Sequence, residues 1–160
     1  RFLIDIFKEV HVMKPNSILL IVGTGDMETE IKAYAKESGV SKFIKFLGNR
    51  NDTHRLYQAF DIFMLPSLFE GVPLVGVEAQ FADLPCFFSD KVPTEVSFSD
   101  KTYFMSLDQS PRTWAKEIAS VAVQNRDSNR SLLTNTHYNI QTAHKILEDN
   151  YFELLKRFNE

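Results

Sequence analysis

The junction between residues 62–65 and 73–82 narrows the fold more than any other stretch. Ile62-Phe63-Met64-Leu65 is a short apolar run of strand character, and residues 73–82 form an apolar helical stretch. Pro66-Ser67-Leu68-Phe69-Glu70-Gly71-Val72 lies between them, and Pro73 is expected at the first helical position, where a missing N–H does little harm. A strand that passes through a glycine-containing loop into a helix builds a ligand crevice at the carboxyl end of an open α/β sheet. Such a loop offers backbone N–H groups and a helix N-terminus, which favour an anionic phosphate. The donors free at this helix start are the N–H groups of Val72, Leu74 and Val75, since Pro73 has none. Gly71 allows close backbone approach to a ligand. Two acids, Glu70 and Glu78, stand eight residues apart in the same junction. Carboxylates repel phosphate, so they must face groups with hydroxyls to donate. A nucleotide-sugar carries hydroxyls at both ends, on ribose and hexose, with the diphosphate between them.

The rest of the chain repeats the same alternation. Leu3, Ile6, Phe7 and Val10 predict an amphipathic helix over residues 2–13, ended by Pro15-Asn16. Residues 17–22 read as a buried parallel strand, and Met27, Ile31, Tyr34 and Ala35 as a helix closed by Gly39. A strand follows over 43–47, then a helix capped by Asn51 or Asp52 with Leu56, Tyr57 and Phe60 on its apolar side. Strands are expected at 85–88 and 102–105. Ser110-Pro111 opens a helix carrying Trp114, Ile118 and Val121, residues 125–137 read as loop or broken helix, and Ile140, Ala143, Leu147, Leu154, Leu155 and Phe158 suggest a closing helix. Strands alternating with helices mean an α/β, Rossmann-like parallel sheet with right-handed crossovers and helices on both faces. At 160 residues this is a single domain.

Composition excludes several roles. A net charge of −3 argues against a nucleic-acid partner or a polybasic membrane surface, and no apolar run reaches the ~18–20 residues of a transmembrane span. With 44% apolar and 24% charged residues the chain can build a core and is not of disordered type. Cys86 is the single cysteine, cannot pair internally, fits a reducing cytoplasm, and reads as a small buried residue in a strand. His11, His54, His137 and His144 show no metal-ligand spacing, so no metal site is expected. Gly23-Thr24-Gly25 follows a strand and precedes a helix. It lacks the third glycine of a dinucleotide fingerprint, having Glu28 there, and a lone G-x-G is weak evidence for a phosphate site.

The block from Pro66 to Gln80, with its P-S-x-x-E-G-x-P core and second acid Glu78, closely resembles the donor-site signature of family 4 retaining glycosyltransferases of the GT-B fold. These are group 1 glycosyl transferases, and the likeness is to their bacterial surface-polysaccharide branch. It extends weakly through Asp61-Ile62, Leu84-Pro85, Ser89-Asp90 and Glu95-Val96. The resemblance implies that residues 1–160 are the C-terminal, nucleotide-sugar-binding half of a GT-B enzyme. That enzyme would move a sugar from a nucleoside diphosphate to a polysaccharide or lipid-linked acceptor. It implies that Glu78 accepts from the ribose hydroxyls, that Glu70 contacts the transferred sugar, and that the loop Gly48-Asn49-Arg50 approaches the base. Arg50 reads equally well as a solvated surface residue.

The chain enters its first helix at Arg1-Phe2 with no Met and no preceding strand. By resemblance it is expected to be a fragment lacking an N-terminal acceptor domain and the family's usual Arg and Lys beside the diphosphate. No metal or other cofactor is expected, and the full-length enzyme is expected in the cytoplasm, peripheral at the inner membrane. Three positions depart from the family pattern. Asp83 replaces a helix-ending glycine, and Asp tolerates the left-handed conformation better than most residues. Gly76 stands where a larger apolar residue is usual, and either weakens the helix or marks close packing. Asp90-Lys91-Val92-Pro93-Thr94-Glu95 replaces a glycine-containing turn, where Lys91 is a candidate for the missing positive charge. Two other readings stand beside the transferase: a non-catalytic scaffold of the same fold, and an epimerase- or phosphorylase-like domain.

Overall fold

The computed structural model describes residues 1–121 and 138–158. The loop or broken helix expected over 125–137, with His137, lies outside the described residues. Five strands alternate with helices in chain order. They are α1 (Phe2–Met13), β1 (Leu19–Val22), α2 (Glu28–Glu37), β2 (Ile44–Gly48), α3 (Thr53–Ala59), β3 (Phe63–Leu65), α4 (Leu74–Phe81), β4 (Cys86–Ser89), β5 (Thr102–Met105), α5 (Pro111–Ser120) and α6 (Ile140–Phe158). Short 3-10 turns at Ser41–Phe43 and Thr94–Val96 complete the order. The first of them takes Phe43, expected to begin β2.

All strand pairing within the ladders is parallel, in two hydrogen-bonded groups rather than one continuous sheet. β1 pairs with β2, and β3-β4-β5 form the second group. Side chains join what backbone bonds do not. Met64 on β3 packs against both the cluster around β1 and β2 and the cluster under α5. Helix α1 does the same with two sides of one helix: Ile4 and Phe7 face Leu19, Ala35 and Ile44, while Ile6 and Val10 face Phe87, Met105 and Trp114.

Helices cover both faces of the second group, as the strand period of two requires. All four residues of β4 are buried. Phe87 points to the layer of α1 and α5, and Cys86 and Phe88 point to the layer of α3 and α4. Trp114 anchors α5 with its ring edge on Phe2, 5.8 Å away, and donates its indole N–H to Ser106 O at 2.9 Å. Ser110 caps α5, its Oγ accepting from Thr113 N–H, with Pro111 at the first helical position.

The end of α4 explains Asp83. Leu84 N–H donates to Ala79 O at 3.2 Å and Asp83 N–H to Gln80 O at 2.9 Å, the two bonds of a Schellman ending. That ending needs a left-handed residue, and Asp83 adopts it at φ 59°. Its Oδ1 accepts from Lys101 Nζ at 2.7 Å, which ties the helix end to the start of β5. Gly76 is resolved as close packing: a Cβ there would lie 2.8 Å from two ring carbons of Phe88.

Candidate functional site at the strand carboxyl ends

Strands β1, β2, β3 and β4 are parallel to their partners, so the loops that leave their carboxyl ends are the loops sequence reasoning selected. The first two are tied together. Gly23 N–H donates to Gly48 O at 2.8 Å, and Thr24 Oγ1 donates to Asn49 Oδ1 at 3.4 Å. Gly48 turns the chain at φ 63°, a left-handed conformation that explains glycine there. Arg50 then makes a two-point contact with Asp52, Nε to Oδ1 at 2.8 Å and Nη2 to Oδ2 at 2.7 Å. The pairing lowers the carboxyl of Asp52, chiefly through the Arg50 hydrogen bond, and raises the guanidinium in turn. Asp52 does occupy the N-cap position of α3, yet its side chain makes no capping bond because Arg50 holds it.

The next pair of loops carries the two acids. Glu70 lies half-buried in the loop between β3 and α4, and Ser67 Oγ donates to its Oε1 at 2.7 Å. Ser67 is in turn fixed from β4, where the buried Ser89 donates its hydroxyl to Ser67 O. Ser89 Oγ also accepts from Lys91 N–H at 3.4 Å, which places Lys91 in the loop beyond β4. The Lys91 ammonium is exposed, 3.7 Å from Asp90.

Pro73 sits one position earlier than expected. It is the N-cap of α4, at φ −74° and ψ 110°, and Leu74 is the first helical residue. Proline prefers extended ψ as readily as helical, and its carbonyl already accepts from Gly76 N–H at 2.9 Å and Val77 N–H at 3.2 Å. The shift leaves Leu74 and Val75 in the first turn, where N–H groups lack intrahelical acceptors. Leu74, Val75 and Val72 are all exposed, as are Leu68 at 84% and Phe69 at 87%. Gly71 has no positive φ, and the space beside its Cα is open.

Glu78 lies on α4, one turn in, and is exposed. Tyr57 of α3 donates its hydroxyl to Glu78 Oε2 at 3.0 Å and lies 3.3 Å from Val75 O. Burial, then the Glu78 carboxylate, push the Tyr57 phenol well above its ordinary range, so it stays a donor.

Sequence reasoning took Tyr57 as an apolar helix position and gave no role to Gln80, Ser67 or Ser89. A tyrosine on a core-facing position signals a hydroxyl in need of a partner, and that signal was present. Gln80 is buried and fully engaged. Its Nε2 donates to Gly76 O at 3.1 Å and Val96 O at 2.8 Å. Its Oε1 accepts from Phe98 N–H, Ser99 N–H and Thr102 Oγ1 at 3.0 to 3.2 Å. This amide clamps α4 to the segment entering β5 and so holds the helix that carries Glu78. Among the described residues, no three His, Cys, Asp or Glu side chains group as metal ligands, and no helix is long and apolar enough to cross a membrane.

Residues 1–123 match the family described as glycosyl transferases, group 1. The chain is 36% identical over 109 residues to a glycosyltransferase, EpsF, of Bacillus subtilis, covering 68% of this chain and 28% of that protein. It is 42% identical over 77 residues to the UDP-Gal:alpha-D-GlcNAc-diphosphoundecaprenol alpha-1,3-galactosyltransferase of Escherichia coli, covering 48% of this chain and 20% of that one. The chain thus spans about a quarter of the length of these relatives. Among solved structures it is similar to WaaG, a glycosyltransferase involved in lipopolysaccharide biosynthesis, with a TM-score of 0.66 at 20% identity, covering 85% of this chain and 38% of that one. It is also similar to the pneumococcal O-GlcNAc transferase GtfA in complex with UDP and GlcNAc, with a TM-score of 0.60 at 18% identity, covering 98% and 32%. Both likenesses concern the fold, which is that of the GT-B glycosyltransferases.

Proposed function

The chain belongs to the group 1 glycosyl transferases, and from that premise we propose that residues 1–160 are the donor-binding unit of a retaining hexosyltransferase. The whole enzyme transfers a sugar from a nucleoside diphosphate to a polysaccharide or lipid-linked acceptor. The acceptor is read by a further domain outside these residues, and the work is done at the cytoplasmic side of the membrane. The E. coli relative, by its name, takes UDP-galactose and a diphosphoundecaprenol-linked acceptor, which supports that substrate class.

One observation carries the reading. Glu70 lies in the loop that enters α4 and Glu78 one turn into that helix, and each accepts from a neighbouring hydroxyl, Ser67 or Tyr57. An anion at the N–H groups of Val72, Leu74 and Val75 then has an acid on either side along the chain. Glu78 accepts from the ribose hydroxyls. Glu70 faces the hexose and balances positive charge that develops at the anomeric carbon. The base lies against the Gly48-Asn49 turn. Asp52 holds Arg50 through Nε and Nη2, so Arg50 reaches the ligand through Nη1 or by leaving Asp52. In the retaining reaction the leaving diphosphate takes the acceptor proton on the same face, so positioning supplies much of the rate. The proposed transfer routes no step through a metal.

The test pairs two variants. Glu78→Ala weakens nucleoside diphosphate binding by about 1–3 kcal/mol, as expected for lost bonds to a charged acceptor. Glu70→Gln in the full-length enzyme spares that affinity and lowers kcat and kcat/KM together. An unchanged kcat in a folded Glu70→Gln enzyme removes the catalytic role. Retained donor binding with no transfer to any acceptor favours a scaffold.

A further inference from the structure

We infer that Tyr57 is a positioning residue for the nucleotide, acting through Glu78 and resting on the donor-site reading above. The acid belongs to the signature block, whereas the tyrosine lies 21 residues upstream on another helix. A glutamate side chain on an exposed helix face samples several rotamers, and fixing one of them costs entropy when a ligand arrives. Here the cost is met by the fold. The Tyr57 ring is buried against Phe60 and Phe63, edge-on at 6.0 and 6.3 Å, so the phenol has one direction in which to point. Its single proton goes to Glu78 Oε2 at 3.0 Å, nearer than Val75 O at 3.3 Å. That leaves Oε1 of an exposed glutamate, which the Tyr57 bond does not use, as the acceptor offered to the ribose.

The placement of α3 gives this contact a second consequence. Its N-terminal end carries Asp52, which holds Arg50 beside the Gly48-Asn49 turn. The same short helix therefore bears on the base loop at one end and on Glu78 at Tyr57. The hydroxyl also touches the carbonyl of Val75, whose N–H is one of the proposed diphosphate donors. Base, ribose and diphosphate subsites are registered against one another by α3, with Tyr57 as the polar link to α4.

The experiment measures binding by calorimetry for wild type, Tyr57→Phe, Glu78→Gln and the double variant. The probe is the tightest of uridine, adenosine and guanosine diphosphates, together with its 2′,3′-dideoxy form. The expected result is a loss of about three- to tenfold for Tyr57→Phe on the ribose ligand and none on the dideoxy ligand. The double variant is expected to be no worse than Glu78→Gln alone. Equal affinity of Tyr57→Phe and wild type for the ribose ligand overturns the inference. An equal loss for both ligands also overturns it, leaving Tyr57 as a packing residue whose removal damages the fold. A wild type that binds the dideoxy ligand as tightly as the ribose ligand, or binds none of the three diphosphates, refutes the donor-site reading instead, and the inference falls with it.

Discussion

Replacing Gly76 with alanine sets two effects of known size against each other. Inside a helix alanine is favoured over glycine by up to about 1 kcal/mol, and Gly76, the third residue of α4, lies in its first turn, where the gain is smaller. Against this, the new methyl would sit 2.8 Å from Cε1 and Cζ of Phe88 and 3.4 Å from Val96 Cγ2. Carbon atoms rest at about 3.5–4.0 Å, so α4 or the ring must move by roughly 0.7 Å. The ring has nowhere to go. Phe88 is fully buried, with Phe63 at 6.1 Å and Phe104 at 5.8 Å around it, and Val96 is fully buried too. Overpacking of this kind costs about 1–3 kcal/mol. The expected net effect is a destabilisation of about 1 kcal/mol, read as a lower urea midpoint at unchanged slope. Because α4 carries Glu78 and the free N–H groups, and Gln80 bonds to Gly76 O, nucleotide affinity should fall with it. Phe88→Leu supplies the control: in the Gly76→Ala background it should cost at least about 0.5 kcal/mol less than in wild type. A Gly76→Ala protein stabilised by about 1 kcal/mol, with no coupling to Phe88→Leu, would refute the packing argument.

Other outcomes are as specific. Lys101→Met strands the carboxylate of Asp83, whose Oδ2 is already buried without a partner, and should cost about 1–3 kcal/mol in urea unfolding. Asp83→Gly removes that charge and the left-handed strain together, so it should stay within about 1 kcal/mol of wild type; the reverse order would refute the account of the helix end. Burial pushes the Cys86 thiol far up, while an unfolded thiol titrates near ~8.5. The unfolded state therefore loses its proton first, and stability present below pH ~8.5 declines as pH rises beyond it. Cys86→Ala should flatten that decline between pH 8 and 10, and an identical slope would refute it. Ser67→Ala frees Glu70 in the full-length enzyme and should lower kcat about three- to tenfold with folding intact; an unchanged kcat shows that the bond from Ser67 Oγ does not matter.

The order of helices and strands was legible in the sequence because each element is written in local periodicity. Leu3, Ile6, Phe7 and Val10 mark one helix, and the continuous apolar run over 86–88 marks a strand buried on both faces. The loop that brings Glu70 and Glu78 to the end of a strand was legible for the same reason, since glycine, proline and the flanking runs are neighbours in sequence. Asp83 stands where the resembled family ends this helix with glycine, and it adopts the left-handed conformation that Asp tolerates better than most residues.

What only the tertiary structure decided has partners far apart along the chain. Gly76 could be a weak helix position or a close approach, and Phe88, twelve residues on, decides it. The single expected sheet separated into two ladders, joined by Met64 and α1 rather than by backbone bonds. Tyr57 on Glu78, Ser89 on Ser67, and Gln80 spanning Gly76 to Thr102 are pairings over 21, 22 and as many as 22 residues. A periodic pattern states that a side chain faces inward. Which hydroxyl, amide or ring it meets there depends on how the helices settle on the strands, and that is set by packing of the whole core.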